Sequence, residues 1–413
     1  MVKRLAIAAI LLLAAVSCEI PFEIDNISEP KLYVHYLPSE GTPRMKLGYA
    51  EPAFGKLSTA KYNFRDSDIS VLVNGKAATI RRQEKTESDP GGNTLFIIPE
   101  VEGGLKPGDK VEVSLRGDNV PEAYAYTVIP ESPTVTSVEL KPVTRDSSDA
   151  TRITLHLSKA VEDGEYYGLK TAIRTTTILG YISEETYDLL KSMGLGDMEL
   201  LTGLGGLSGI PGIPEIPVQY DTTVMLSYTT AGQIATTADI NKLDLDGFMS
   251  VNYQNGIIES GMFSSEPMML LTDKQFDGSA YSFYINSVDA FSFDIFDLDM
   301  GELDDSYVMQ TGDMPDMPDY PDDSGGSEED EEPLYIYFVV SEEQKVQLEV
   351  FRLTEELFNY CKAQYLMNFN MLSNFGVSPP NFTYTNVSNG IGIVGGISSF
   401  RTIWYDVPKN NRQ

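Results

Sequence analysis

The chain has 413 residues, of which 61 are Asp or Glu and 30 are Lys or Arg, so its formal net charge is −31 at pH 7. This balance argues against a nucleic-acid ligand, which needs clustered basic residues, and against lying flat on an anionic membrane. The length exceeds one average domain, and two cysteines with two histidines are too few for a disulfide framework or a zinc site.

The N-terminus has the pattern of a bacterial lipoprotein signal. Lys3 and Arg4 precede an unbroken apolar run over residues 5–16, and small residues then lead to Cys18. The pattern predicts a signal peptide over residues 1–17, a lipid on Cys18 and a lipidated tether over residues 18–29. The apolar run is shorter than the roughly twenty residues of a membrane-spanning helix, so the lipid is the expected anchor. An ordinary secretory signal, with Cys18 unmodified, is the alternative.

Residues 30–130 have the pattern of a first β-sandwich domain. Apolar residues alternate with polar ones in several short runs, as at Ile69, Val71 and Val73, and this is the period of a strand. Asn74-Gly75 then supplies a tight hairpin signal. Short strands with turns at regular spacing predict an immunoglobulin-like β-sandwich.

Residues 131–413 predict a second β-rich domain, interrupted by two irregular insertions. The first, over residues 183–218, contains a short helix and a loop with repeated Ile-Pro pairs, in which proline excludes a helix. This loop either packs on its own domain or forms a lip that contacts a partner or a membrane. The predicted fold class is therefore mainly β, with two β-sandwich domains.

The second insertion, over residues 299–333, is strongly acidic. No Lys or Arg occurs between Lys274 and Lys345, and such a run buries too little apolar surface to become ordered, so we predict a disordered loop. Asp297, Asp299 and Gly301 resemble the start of a calcium loop, but the glutamate that such a loop requires is missing. We therefore predict no metal site, with calcium at the acidic loop as the alternative.

The last long element is predicted to be an amphipathic helix over about residues 342–370. Ser341 and Gln344 have the spacing of a capping box. The apolar positions that follow at steps of three and four are Val346, Val350, Leu353, Leu357 and Cys361. This helix is expected to lie across the second sheet, with Cys361 as a small buried hydrophobe and not a nucleophile.

No catalytic constellation is recognisable in the sequence. His35 and His156 fall in strand-like runs, where we expect structural roles, and no Gly-x-Ser-x-Gly element accompanies them. The glycine-rich residues 389–396 are followed by another apolar strand pattern and not by a helix, so they predict close strand packing, not a phosphate loop. We predict no enzyme activity, no cofactor and no catalytic residue; a glycoside hydrolase using two of the many carboxylates is the enzymatic alternative.

Several stretches of the chain resemble one known family. They are Cys18-Glu19 followed by Pro30-Lys31-Leu32-Tyr33-Val34, the Glu165-Tyr166-Tyr167 element, the late helix, and the terminal run Asn386-Val387-x-Asn389-Gly390-x-Gly392-Ile393-x-Gly395. In these the chain resembles a Bacteroidetes lipoprotein family, the domain of unknown function 4249. Members are often encoded near SusC-like TonB-dependent receptors, so the resemblance implies an accessory role in nutrient import. It supplies no catalytic residues.

The expected function is that of an outer-membrane lipoprotein, held by the lipid on Cys18 on either the cell surface or the periplasmic face. It is expected to act as a non-enzymatic binding or accessory component beside a TonB-dependent transporter, with a SusC-like receptor as partner and no nucleic acid. The alternative is an envelope structural or adhesion protein that makes protein–protein contacts.

Overall fold

Strands dominate the folded chain, which confirms the predicted mainly-β class. The computed structural model of the protein describes residues 30–41, 43–50, 64–83, 94–145, 148–158, 164–192, 218–229, 249–254, 256–259, 266–276, 280–286, 335–369 and 384–408.

The described residues form short strands in the first part of the chain and longer ones later. The strands up to residue 157 are β1 (Lys31–Tyr36), β2 (Met45–Ala50), β3 (Ile69–Val73), β4 (Lys76–Ala77), β5 (Thr79–Gln83), β6 (Leu95–Glu100), β7 (Lys110–Gly117), β8 (Val120–Val128), β9 (Val135–Arg145) and β10 (Ser148–Leu157). The later strands are β11 (Tyr166–Ser183), β12 (Gln219–Thr229), β13 (Ser250–Gln254), β14 (Ile257–Glu259), β15 (Pro267–Thr272), β16 (Ala280–Asn286), β17 (Tyr335–Leu353), β18 (Gly390–Val394), β19 (Ile397–Arg401) and β20 (Tyr405–Asp406). The described α-helices are α1 (Glu184–Ser192) and α2 (Glu355–Phe369).

The chain divides into two compact units, each built from separated segments. Unit 1 takes its described residues from Met1–Ser132, Tyr253–Met262 and Arg352–Ser398, and unit 2 takes the rest. The prediction that all of residues 131–413 form the second domain was therefore wrong for α2 and β18. Both belong to unit 1, because β18 pairs with β1 and α2 contacts β18.

Unit 1 is a sandwich of two sheets. One has five strands in the order β18-β1-β2-β6-β5, and the other has four in the order β4-β3-β7-β8. Alternate residues of β1 and β7 point between the sheets, since side chains along a strand alternate between its two faces. Leu32 and Val34 of β1 and Val111, Val113 and Leu115 of β7 belong to one buried apolar cluster.

Two local backbone features of unit 1 match the sequence. Asn74 and Gly75 have φ of 50° and 80° and form the predicted tight turn between β3 and β4. Gly392 in β18 has φ of 108°, and a Cβ there would overlap the carbonyl oxygen of Val34 on β1. The parallel pairing of β1 with β18 therefore depends on that glycine, as the prediction of close strand packing requires.

Unit 2 also packs two sheets around a core. A three-stranded antiparallel sheet has the order β16-β10-β9, and a larger sheet contains β13-β15-β11-β17-β19 in that order, with β12 paired to β11 and β20 paired to β17. Ile153 and Phe283 from the smaller sheet and Leu169, Leu348 and Val350 from the larger one share a single buried cluster.

The helix predicted over residues 342–370 starts later than expected. The chain stays in strand β17 up to Leu353, and helix α2 begins at Glu355. The reason is visible in residues 346–350, whose side chains alternate between buried and partly exposed positions, with the two-residue period of a strand. The helical spacing used for the prediction fitted some of the same residues by coincidence.

Candidate functional site

The residue predicted to carry the lipid, Cys18, lies outside the described residues, as do the signal peptide over residues 1–17 and the tether up to residue 29. The acidic loop over residues 299–333 and the Ile-Pro loop lie outside them as well. Of the first insertion, the structure describes Ser183, helix α1 and Val218. The lipid and both loops stay predictions.

Within the part of the chain that the structure describes, no group of three or more His, Cys, Asp or Glu side chains is placed to hold a metal ion. None of the described helices is long and apolar enough to cross a membrane. The expectation of no metal, no cofactor and no enzyme activity stays a prediction.

The histidines and Cys361 occupy separate structural settings. His35 is fully buried in unit 1, where burial and, to a smaller extent, the charge of Lys46 lower its pKa to about 3. His156 lies in unit 2 with Nε2 3.5 Å from a Glu139 carboxylate oxygen. Burial raises the pKa of the Cys361 thiol, which favours its protonated form.

The clearest exposed feature of unit 1 is a row of large side chains on β8. Ala123 and Ala125 face the core, whereas Tyr124, Tyr126 and Val128 point to solvent. Tyr126 is 56% exposed, which is unusual for a ring held in the middle of a strand. Tyr124, Tyr126 and Val128 are called the tyrosine surface below.

Polar contacts with strand β7 hold the two rings in place. The Tyr124 hydroxyl donates to Glu112 Oε2 at 2.9 Å, and Lys110 Nζ lies 2.9 Å from Glu112 Oε1. The same ammonium group lies 5.3 Å from the centre of the Tyr126 ring, in a cation–π contact. Hydrogen bonds from Lys110 and then from Tyr124 lower the pKa of Glu112, and the bond to Glu112 raises the pKa of Tyr124.

The backbone of β8 is fixed along both of its edges. It pairs with β7 on one side, and on the other the backbone groups of Tyr124 and Ser388 exchange hydrogen bonds of 3.2 and 2.8 Å. Gly396 N–H also donates to Thr127 Oγ1 at 2.8 Å. The tyrosine surface therefore stands on a strand that is bonded to β7 and to Ser388 and Gly396, which lie on either side of β18.

This arrangement suits contact with another molecule better than it suits a reaction. Tyrosine rings supply large amphipathic contact area, and little rotamer freedom remains to be lost when the rings are already held. Glu112 and Lys110 pair with each other, and the Tyr124 hydroxyl is made less acidic, so no group here is activated as a nucleophile.

The tyrosines were not among the predicted site residues, although the sequence contains a signal for them. Residues 123–126 read Ala-Tyr-Ala-Tyr within a strand pattern. Small residues on alternate positions indicate a closely packed inner face, so the aromatic residues between them are expected to point outward.

A family model described as "Domain of unknown function (DUF4249)" matches residues 18–403. The chain belongs to this family. The DUF4249 match begins at Cys18 and includes all described residues of both units up to Ile403, which confirms the family predicted from the sequence. None of the curated proteins compared with the chain matches it.

Proposed function

We propose that this DUF4249 protein is an outer-membrane lipoprotein that acts as a non-enzymatic binding or accessory component beside a TonB-dependent transporter. In this proposal the lipid on Cys18 anchors the protein, and the tyrosine surface of unit 1 contacts the transporter.

Two features support the anchor. The basic start, the apolar run and the small residues before Cys18 agree in order and length with an export signal. The family match begins at the same cysteine and leaves residues 1–17 outside it. A family match that starts at the expected mature N-terminus agrees with processing at that cysteine.

The binding role is carried by one observation, the exposure of two pre-positioned tyrosine rings. Aromatic residues that are rigid before binding are typical of the few side chains that contribute most to a protein interface. The paired charges of Glu112 and Lys110 beside them give the surface a fixed hydrogen-bonding pattern.

The anchor is tested by replacing Cys18. Wild-type protein is expected to incorporate labelled palmitate and to partition into the outer-membrane fraction. The Cys18→Ala variant is expected to lose both properties. A variant that still partitions with the membrane would refute the lipid anchor.

The partner is tested by co-purification after mild detergent extraction. Wild-type protein is expected to recover a β-barrel receptor, and the double variant Tyr124→Ala, Tyr126→Ala is expected to recover roughly tenfold less. Ile403→Ala is the control, because Ile403 is 71% exposed but lies between β19 and β20 in unit 2. Failure of the wild type to recover any β-barrel protein would count against the proposal.

The tyrosine surface also suits an envelope structural or adhesion protein, because exposed aromatic rings favour protein contacts in general and do not specify one class of partner. A deletion strain separates the two functions. Reduced nutrient uptake supports the accessory role, whereas altered surface assembly with unchanged uptake supports adhesion.

A further inference from the structure

One arginine of unit 2 lacks the kind of partner that its neighbours have. Arg174 of β11 follows Ile173, which belongs to the buried cluster, so the Arg174 side chain lies on the opposite face of the larger sheet. Other cations on that face each form an ion pair with a carboxylate: Lys170 with Glu266, Lys345 with Asp406, and Arg401 with Glu349. Among the described residues, Arg174 pairs with no carboxylate, although the chain has 61 acidic residues and only 30 basic ones.

An aromatic ring holds the Arg174 guanidinium group in place. Its central carbon lies 4.8 Å from the centre of the Trp404 ring, in a cation–π contact. Both side chains are partly exposed. A guanidinium group that stacks on an aromatic ring keeps the N–H groups at its edge for other acceptors, and these match the two oxygens of a carboxylate. The arginine is therefore oriented before a ligand binds.

Exposed apolar side chains lie beside this arginine. Leu226 of β12 is directly opposite Arg174 in the antiparallel register, so the two side chains share a face of the sheet. Leu226 is 53% exposed, and Val224, the next residue of β12 on that face, is 61% exposed. One unpaired cation next to apolar surface fits a ligand that carries a single negative charge on an apolar body. A polyanion is disfavoured, because the chain itself carries a net charge of −31.

We propose that Arg174, Trp404 and Leu226 form a binding site for a small monocarboxylic acid with an apolar body. The N–H groups at the edge of the guanidinium group donate to the ligand carboxylate. The apolar body packs against Leu226 and the exposed part of the Trp404 ring. All three residues belong to unit 2, so the site does not involve the tyrosine surface and does not depend on the function proposed above.

The carboxylates of the same face are not available to Arg174. Glu266 pairs with Lys170, and both carboxylate oxygens of Glu349 lie 3.1 Å from Arg401 Nη2. Arg174 is therefore the cation of this face that a carboxylate from outside the chain is able to reach without breaking an existing pair. Because the site is an open sheet face, a ligand of about ten heavy atoms is expected to bind weakly, with a dissociation constant in the millimolar range.

The fluorescence of Trp404 reports on the site directly, because it is the single tryptophan of the chain. The full chain in a non-ionic detergent is titrated with cyclohexanecarboxylate and, separately, with cyclohexanecarboxamide, which has nearly the same shape but no charge. The carboxylate is expected to change the fluorescence saturably, and the amide is expected to bind at least about tenfold more weakly. This comparison needs only the wild-type protein, so it does not depend on the folding of a variant.

The matched variants are Arg174→Gln and Arg401→Gln, which each remove one positive charge from the same face. Arg174→Gln is expected to weaken binding of the carboxylate roughly tenfold or more, whereas Arg401→Gln is expected to bind it like the wild type, since Arg401 is already paired. Saturation-transfer NMR of the ligand measures the same affinities without using Trp404, whose surroundings change in Arg174→Gln. No saturable binding by the wild type, equal affinity for the carboxylate and the amide, or equal losses in the two variants would each overturn the proposal.

Discussion

His35 makes the stability of unit 1 dependent on pH in a predictable direction. The imidazole is fully buried, and its Nε2 accepts the backbone N–H of Ile258 at 3.3 Å. The ring of Tyr360 from helix α2 meets it edge-on, with 5.9 Å between ring centres. Protonation at Nε2 would therefore place two N–H donors against each other and would bury a charge among apolar groups.

The size of the effect follows from the pKa. Burial lowers the pKa of His35 from its ordinary value of 6.5 to about 3. Between these values the unfolded chain binds more protons than the folded one, so this contribution to stability is fully present above pH 6.5 and falls as the pH drops toward 3. Going from about pH 7.5 to about pH 5, the expected loss in the free energy of unfolding of unit 1 is about 2 kcal/mol.

The assay compares wild type with His35→Gln, whose neutral amide oxygen is still able to accept the Ile258 N–H. Urea unfolding is followed by hydrogen exchange of the peptide that contains β1, at both pH values. Carboxylates titrate in both proteins and cancel, so the difference between the two pH dependences isolates His35. Equal losses of stability in wild type and variant would show that the folded protein tolerates the charged imidazole, and would refute the reasoning.

Three further outcomes are expected. In urea unfolding, Gly392→Ala should cost at least about 4 kcal/mol in the free energy of unfolding, because a Cβ would overlap the Val34 carbonyl. The control Gly103→Ala has a similarly positive φ but lies in open space, so it should cost about 1–2 kcal/mol in the same experiment. Lys170→Met should cost about 2 kcal/mol in unfolding followed by the fluorescence of the single tryptophan, since the partly buried carboxylate of Glu266 would lose its pairing with the nearly buried Lys170 ammonium group. In the folded protein Cys361 should react with iodoacetamide at least about a hundredfold more slowly than in urea; fast labelling under native conditions would show that the thiol is not buried.

Around residue 350 the apolar spacing alone does not distinguish a strand from a helix. Val346 and Val350 lie four residues apart, which fits a helix, but they also fit a strand, and Leu348 between them is buried too. Only the strand period explains all three. Thr354 gives the true start, because its Oγ1 accepts the backbone N–H of Leu357 at 3.4 Å as an N-cap.

Local sequence patterns do not indicate which distant strands pair with each other. The predicted strands at both ends of the chain exist, but nothing in their own residues indicates that β18 pairs in parallel with β1. The glycines of residues 389–396 indicated close backbone approach without naming the partner strand. Assigning α2 and β18 to the second domain followed from chain order, which tertiary pairing overrode.

The outward position of the rings in the tyrosine surface follows from close packing between β8 and the glycines in and beside β18. A Cβ on Gly390 would lie 3.0 Å from the Cβ of Ala123, and one on Gly396 would lie 2.5 Å from the carbonyl oxygen of Val128. The inner face of β8 therefore has no room for large side chains, and the bulk that gives a strand its β propensity has to be placed on the outer face. Packing accounts for why the rings point outward, but an outward position alone would be satisfied by threonine or valine. What packing does not require is the hydrogen bond of Tyr124 to Glu112 and the cation over Tyr126, and those two contacts are the reason to assign the surface a partner.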